Sequence, residues 1–347
     1  MATPIRLRRG VQLAAALLAT GTLVAACGSS DNSSSSSSSS ANGSSVACAT
    51  GDQTGKRKVT STFLGDVEVP AHPQRIVSGW LVGTQLIDLG VKPVGMLDDY
   101  KNNATPDELA KVEGVPSVGS ITAGVNTEQV LSLNPDLVVT MVRKDVADKL
   151  AVKEVNDVAA PVAAFEVQEP TDVWDMYPRV AEAIGCGDAA KKRLDDLDNN
   201  LRSIGTDNKD AISKLGTVAF VEGSTEPATY QVSTSKSLVY ERLNLAGLKY
   251  FDGVDANPAR YNQQVSLEDI GRLSSANVLF YEADYEGNPT ERTKALLDNE
   301  AFKALPAVKA GNLFAYRTPY AYTTAAVDRQ VEDIKAAVTK AKAAANS

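Results

Sequence analysis

Short runs of aliphatic and β-branched residues alternate with amphipathic stretches along most of the chain, and this alternation restricts the possible folds most strongly. The predicted strands of the first half are residues 75–78, 91–96, 137–141 and 162–165. The predicted helices of the first half are residues 84–89, 127–133 and 145–158. Strand, helix and strand at this spacing predict parallel βαβ units with right-handed crossovers.

The second half of the chain repeats the alternation. Its predicted strands are residues 217–221, 278–281 and 313–316, and its predicted helices are residues 237–246, 266–273 and 289–298. Residues 127–139 and 267–279 also resemble each other with a one-residue slip. In each, a glutamate, Glu128 or Glu268, opens a short helix that leads into a buried strand. This similarity predicts a duplicated body with two lobes.

A segment without a strand pattern, residues 171–204, separates the two halves. Asp188 can cap a helix in this segment, and Gly205 can end it. Apolar residues recur there at helical spacing, namely Ala190, Leu194, Leu197, Leu201 and Ile204. At 1.5 Å per residue the helix is about 25 Å long. One continuous helix can therefore join two lobes.

The N-terminal segment, residues 1–26, has the layout of a secretory signal: three arginines, an apolar run and small residues. Because the small residues end at Cys27, the segment resembles a bacterial lipoprotein signal with a lipobox. The resemblance implies cleavage and acylation of Cys27, and more than one acyl chain gives stable membrane attachment. We expect a protein anchored by lipid to the extracytoplasmic side of the cell membrane. The alternative is an uncleaved anchor in which the cysteine stands by chance.

A polar stretch, residues 27–57, follows and contains eight consecutive serines. It has almost nothing to bury, so it cannot offset its ordering entropy and is predicted to be a flexible tether. The formal net charge of the whole chain is −8, and removal of the signal arginines makes it more negative. Nucleic acid is therefore not an expected partner, because phosphate binding needs a basic surface.

Two cysteines remain once Cys27 is assigned to lipid. Cys48 and Cys186 form an even pair in an exported chain, where oxidising conditions let disulfides persist. We expect a bond between them, which would fasten the end of the tether to the body. Two separate thiols are the alternative.

Five further segments of the chain belong together by their order and spacing, namely residues 73–77, 89–95, 118–119, 128–139 and 308–314. Together they resemble the periplasmic-binding-protein family of iron siderophore importers. The resemblance runs from about Val69 to the C-terminus and depends on their order and spacing. It implies an α/β fold of the class III type, with two Rossmann-like lobes bridged by a single long α-helix. The lobes would be residues 58–170 and 206–347, the second including a terminal helix, joined by residues 171–205.

The resemblance also implies ligand in the cleft between the lobes and delivery to an ABC permease with its ATPase. One glutamate on each lobe would reach basic residues of the permease, and Glu128 and Glu268 occupy the matching positions. A plainer explanation is that a carboxylate in the first turn of a helix is stabilised by the helix dipole. We expect a monomer.

The sequence holds few catalytic residues. Its single histidine, His72, has no second histidine to form a zinc or general-base site, and no GxSxG, HExxH or phosphate-loop pattern occurs. Ser233 and Lys236 match the SxxK pattern of serine hydrolases, but the SDN match at residues 30–32 lies in the tether and KTG is missing. We interpret the chain as a binding protein and not an enzyme, with an exported serine hydrolase as the alternative.

The choice of ligand follows from the same shortage of metal ligands. A bare transition-metal ion would need histidines clustered with carboxylates. A ferric siderophore wraps its iron in oxygen donors, so the protein needs only arginines and aromatic rings that recognise the chelate. We therefore expect a ferric siderophore as ligand, with no cofactor and no metal held by the protein. Haem, ligated by Tyr230 or Tyr281, is the main alternative, and cobalamin is the next.

Candidate ligand-binding residues come from the rule that ligands meet the carboxyl ends of strands in doubly wound folds. This rule selects Trp80, Arg143, Tyr230, Tyr281, Arg317, Tyr320 and Tyr322. Arg143 and the loop at residues 316–322 also match regions that touch ligand in siderophore-binding relatives, as the resemblance implies. Arg242 and Arg260 are further candidates from the second half.

For each candidate the plainer alternative is a surface arginine or a packed aromatic ring. If Arg143 and Arg317 both face the cleft, they favour an anionic chelate of the catecholate or citrate type over a neutral hydroxamate.

Overall fold

The computed structural model describes Cys48 and residues 55–61, 63–102, 104–320 and 322–346. Cys27, the predicted signal at 1–26 and the SDN match at 30–32 lie outside the described residues, as does most of the predicted tether. The prediction that the tether extends to residue 57 is wrong at its end, because a strand begins at Lys56.

The first lobe is built on a four-stranded parallel sheet in the order β4-β3-β7-β8. Strand β7 is buried at all six positions, as expected for a central strand covered on both faces. The strands are β1 (Lys56–Ser61), β2 (Gly65–Pro70), β3 (Ile76–Ser78), β4 (Gly95–Met96), β5 (Gly119–Ser120), β6 (Gly124–Val125), β7 (Leu137–Val142) and β8 (Val162–Glu166). The helices are α1 (Gly83–Asp88), α2 (Pro106–Lys111), α3 (Thr127–Ser132), α4 (Val152–Val158), α5 (Pro170–Asp175) and α6 (Tyr177–Ala183), with a 3₁₀ turn at Asp98–Asn102.

The long helix α7 (Gly187–Asp207) joins the two lobes. Ala190 near its start packs into the core of the first lobe, whereas Leu201 and Ile204 near its end pack into a core of the second lobe. The predicted stop at Gly205 is wrong, because the helix continues to Asp207. Gly205 instead lets helix α7 pack closely against the backbone at Ala246, since a Cβ at position 205 would lie 3.1 Å from the Ala246 carbonyl oxygen.

The second lobe is built on a six-stranded mixed sheet in the order β12-β10-β9-β13-β14, with β11 pairing with β9. Its strands are β9 (Thr217–Gly223), β10 (Thr229–Ser233), β11 (Lys249–Tyr250), β12 (Asn262–Ser266), β13 (Val278–Ala283) and β14 (Leu313–Arg317). Its helices are α8 (Lys209–Leu215), α9 (Leu238–Leu245), α10 (Glu291–Asp298), α11 (Glu300–Lys303), α12 (Pro306–Lys309) and α13 (Thr324–Asn346), with a 3₁₀ segment at Leu267–Ser275. Separate apolar clusters cover its two faces. The α/β class with two lobes and one bridging helix is thus confirmed.

Parallel pairing fails at one edge of this sheet. Strand β10 pairs antiparallel with both β9 and β12, which places an antiparallel edge on the sheet that the pattern of parallel units does not include. The predicted helix at 145–158 is also too long. Its first part forms turns, and α4 begins only after Ala151, which has a left-handed φ of 47°.

Cys48 and Cys186 form a disulfide in the structure, with their Cα atoms 4.9 Å apart. Cys186 immediately precedes α7. The bond therefore attaches the segment before β1 to the start of the bridging helix.

Candidate ligand-binding cleft

A cavity of about 250 Å³ lies between the two lobes. Its first wall follows the ends of β3, β7 and β8, and its second wall comes from loops of the second lobe. The lining residues are Trp80, Leu81, Arg143, Val167, Gln168, Glu169, Pro170, Val173, Tyr261, Tyr320 and Tyr322. This is the place at which the strand-end rule puts a ligand. A larger groove of about 800 Å³, lined by Arg202, Lys209 and Lys249 among others, belongs to the second lobe alone and its end of α7.

Trp80 and Arg143 form one side of this cavity. The Arg143 guanidinium lies 5.2 Å from the centre of the Trp80 ring, a cation–π distance. The backbone holds the tryptophan in place, because its amide donates to Thr140 Oγ1 (3.0 Å) and its carbonyl accepts from the Met141 amide (3.0 Å). Leu81 next to it has a φ of 61°, a strained conformation for a non-glycine residue, and such strain is common at binding sites.

Arg143 carries a charge that a neighbour already balances. Its Nε and Nη2 donate to the two carboxylate oxygens of Asp145, at 2.6 and 2.9 Å. These hydrogen bonds raise the pKa of Arg143 and lower the pKa of Asp145. The pair therefore stays ionised, and its geometry is the bidentate fork in which arginine binds carboxylates most strongly.

Tyr320 forms the opposite side and is anchored from behind. Its hydroxyl lies 2.5 and 2.6 Å from the two carboxylate oxygens of Glu222, a residue of β9 that is only 5 % exposed. Burial raises the pKa of Glu222 to about 7, although the hydrogen bond from Tyr320 acts in the opposite direction. The ring of Tyr261 meets that of Tyr320 edge to face at 6.0 Å. The aromatic wall is therefore fixed by a buried carboxyl group.

Four predicted residues meet in this cavity, namely Trp80, Arg143, Tyr320 and Tyr322. Two other predicted residues lie inside the second lobe. Tyr230 is fully buried in an apolar cluster, and its hydroxyl has no hydrogen-bond partner in the described part of the chain. Tyr281 packs half-buried against the same cluster. The Tyr230 prediction is wrong for this conformation, because a side chain without exposed surface cannot touch a ligand.

The three predicted arginines of the second lobe do not line the cavity either. Arg317 donates to Asp333 (2.8 Å) and Glu332 (3.0 Å), both on α13. Arg242 is 3 % exposed and lies over the Trp174 ring at 5.0 Å. The Arg260 side chain is exposed to solvent. Contacts with residues that are distant in the sequence hold Arg317 and Arg242 away from the cavity. Arg260 points into solvent and is not part of the cavity wall.

Several lining residues escaped the sequence prediction. Val167, Gln168 and Glu169 directly follow β8, so the strand-end rule extended to the strand predicted at 162–165 would have found them. Tyr261 precedes β12, a strand that was not predicted, so no signal pointed to it. Glu222 was missed because one carboxylate at the end of a strand has no distinctive pattern.

Glu128 and Glu268 lie in equivalent local settings on the two lobes. Both are exposed and lie in the first turn of a helical segment. Asn126 caps the first segment through the Gln129 amide (2.9 Å), and Ser266 caps the second through the Glu268 amide (3.2 Å). Each glutamate is therefore a surface carboxylate held on a capped helical turn. Their role in docking stays a prediction.

Ser233 and Lys236, the SxxK pair, are not arranged as an accessible nucleophile and base. Ser233 is 4 % exposed, and the Lys236 amine donates to the Ala259 carbonyl (3.2 Å). Within the described ranges, no group of three histidine, cysteine or carboxylate side chains is placed to hold a metal ion. The same part of the chain has no helix that is long and apolar enough to cross a membrane.

The chain that forms this cleft is similar to known proteins. The family model for periplasmic binding proteins matches residues 82–320. The iron(3+)-hydroxamate-binding protein YxeB of Bacillus subtilis is 28 % identical over 285 residues, which cover 78 % of this chain and 81 % of that protein. The putative ABC transporter substrate-binding lipoprotein YhfQ of the same organism is 26 % identical over 287 residues, which cover 78 % and 85 %.

A solved structure agrees with these sequence relatives. The siderophore periplasmic binding protein from the fuscachelin gene cluster of Thermobifida fusca superposes with a TM-score of 0.70 at 26 % identity, covering 78 % of this chain and 98 % of that chain. The family-model match at residues 82–320 spans both lobes and includes most of the residues that line the cavity. This chain belongs to the family of periplasmic binding proteins.

Proposed function

We propose that this protein captures a ferric siderophore in the cleft between its lobes and delivers it to an ABC permease for iron uptake. The observation that carries the proposal is the cavity lined by Trp80, Arg143, Tyr261 and Tyr320, placed between the lobes of a periplasmic binding protein. Aromatic rings and a guanidinium recognise a chelate that already saturates its iron. Relatives named as siderophore-binding and iron(3+)-hydroxamate-binding proteins support the same ligand class.

The size of the cavity agrees with partial enclosure of the ligand. Its volume of about 250 Å³ lies just below the usual range for ligand pockets, about 300–1,000 Å³. A siderophore would therefore fill the cavity and leave part of its surface outside. Haem is less well supported, because Tyr230 is buried and Tyr281 does not line the cavity.

Membrane attachment and docking complete the proposed cycle. Acylation of Cys27 would hold the protein, as a monomer, on the extracytoplasmic side of the membrane, and the lipoprotein names of two relatives support this. Glu128 and Glu268, one on each lobe, would contact basic residues of the permease. We keep residues 58–170 and 206–347 as the proposed lobes, with residues 171–205 between them.

Tryptophan fluorescence tests the proposed ligand class directly. The purified protein is titrated with ferric hydroxamate, catecholate and citrate chelates, with haemin and with cobalamin. We expect saturable quenching by at least one ferric siderophore, and most of it should disappear in a Trp80→Phe variant. Trp174, which lies under Arg242 outside the cavity, supplies the background signal. Saturation by haemin or cobalamin alone would contradict the proposal.

A further inference from the structure

We infer that this cleft selects ferric chelates of zero or positive net charge, of the hydroxamate type, over trianionic tris-catecholate chelates. The inference deepens the proposed function and rests on it. It reverses the expectation drawn from Arg143 and Arg317, because the structure brings only one of these arginines to the cavity.

The charge of the cavity is the first argument. Among the described residues that line it, Arg143 is the single cation and Glu169 the single carboxylate. Arg143 is already paired through two hydrogen bonds with Asp145. An anionic chelate would have to displace Asp145 or approach a guanidinium whose charge is balanced. A neutral chelate can stack on Trp80 and leave the pair intact.

The second argument is that the arginine expected to add positive charge is bound elsewhere. Arg317 donates to Asp333 and Glu332, and its side chain is only 19 % exposed. Releasing it would leave the Asp333 carboxylate, which is 8 % exposed, without its main cation. Such a loss is costly for a buried ion pair. Arg317 is therefore not available to an anionic ligand.

The balance of charges is visible at Tyr261, in the wall of the cavity. Burial is the main cause that raises the pKa of this phenol, and Glu222 and Glu169 raise it further, whereas Arg260 and Arg143 lower it. The two arginines near this phenol are therefore opposed by two acidic side chains.

The third argument is the direction of the Tyr320 hydroxyl. Its proton is donated to Glu222, so this phenol has no proton left to donate to a chelate oxygen. The phenolate oxygens of a catecholate therefore gain no hydrogen bond from Tyr320. A ferric trihydroxamate is neutral, or positive where it carries a terminal ammonium group, and does not need such a donor to offset negative charge.

Competition between matched chelates tests the inference on the full chain in detergent. The probes are ferrioxamine B, which carries an ammonium group, its N-acetylated neutral form, and a ferric tris-catecholate. We expect both hydroxamates to bind about tenfold or more tightly than the catecholate. When sodium chloride is raised from about 50 to about 500 mM, affinity for the catecholate should rise, because salt screens repulsion. Equal or tighter catecholate binding that weakens with salt would overturn the inference.

Asp145→Asn supplies the variant test, because it frees the Arg143 charge. We expect it to reduce the preference for hydroxamate about tenfold, whereas Asp148→Asn, an exposed change of the same charge on the same loop, should alter the preference less than about twofold. An unchanged preference in Asp145→Asn would refute the inference and leave the proposed function standing. No saturable binding of any chelate would instead refute the proposed function, and the inference with it.

Discussion

Replacing Glu222 with glutamine tests whether a buried carboxyl group behind the cleft makes the fold sensitive to pH. Glutamine has nearly the same shape, and its Oε1 can still accept the hydroxyl of Tyr320. Only the ability to ionise is lost. Since Glu222 is 5 % exposed and burial raises its pKa from 4.5 to about 7, ionisation is costly in the folded protein.

The size of the effect follows from linkage. A rise of about 2.5 pKa units, at about 1.4 kcal/mol per unit, corresponds to about 3 kcal/mol. Because the folded pKa is raised, the stabilising contribution is fully present below about pH 4.5 and is lost as the pH rises through about 7. The wild-type protein loses this amount across the window, and Glu222→Gln does not. The difference in unfolding free energy should therefore grow by up to about 3 kcal/mol in favour of the variant.

Urea unfolding, followed by circular dichroism in steps between about pH 5 and pH 9, measures this difference. Subtracting the wild-type curve from the variant curve removes the contributions of all other titrating groups. Glu128→Gln is the matched control, because it makes the same substitution at an exposed position. A flat difference for Glu222→Gln, or one that falls with rising pH, would show that Glu222 is not a destabilised buried carboxylate.

Three further predictions concern docking, the disulfide and the aromatic wall. Glu128→Gln combined with Glu268→Gln should lower cellular uptake of radioactive ferric siderophore about tenfold or more and leave affinity unchanged; an equal loss of affinity would make them ligand or structural residues instead. Cys186→Ser removes a disulfide between residues that are 138 positions apart in the sequence. We expect the free energy of unfolding in urea to fall by about 2–5 kcal/mol. An unchanged urea midpoint would contradict a stabilising role for the bond. Tyr320→Phe removes the hydroxyl that donates to Glu222, so the pKa of Glu222 should rise. An infrared titration of the carboxyl C=O band measures this pKa. A fall in the pKa of Glu222 would contradict the assigned hydrogen bond.

Strong local patterns explain which parts of the fold could be predicted from the sequence. The buried run at β7 and the apolar spacing along α7 are fixed by residues close together in the chain, so both elements were predicted within a few positions. The β10–β12 edge was missed because its strands are short and rich in polar residues such as Gln231, Gln263 and Gln264. Such strands form because a neighbouring strand completes their hydrogen bonds, which no local pattern reveals.

Some residues of the candidate cleft could likewise be predicted from local sequence, and others could not. Arg143 directly follows β7, and Trp80 follows β3 after one intervening residue, so the strand-end rule alone was enough to select them. Arg317 satisfies the same rule, yet carboxylates on α13 hold its side chain. Tyr261 and Glu222 had no local signal at all, because their importance comes from contact with Tyr320.

The sequence by itself determined the two α/β lobes, the bridging helix and part of the aromatic lining, and it favoured a bond between Cys48 and Cys186. These depend on residue periodicity and residue type, which are local properties of the chain. Only the tertiary structure decided the charge of the cleft. Asp145 neutralises Arg143, Asp333 holds Arg317, and Glu222 meets Tyr320 across 98 positions of sequence. Electrostatic interactions depend on the distance and burial of paired groups, and the chain fixes those quantities only when it folds.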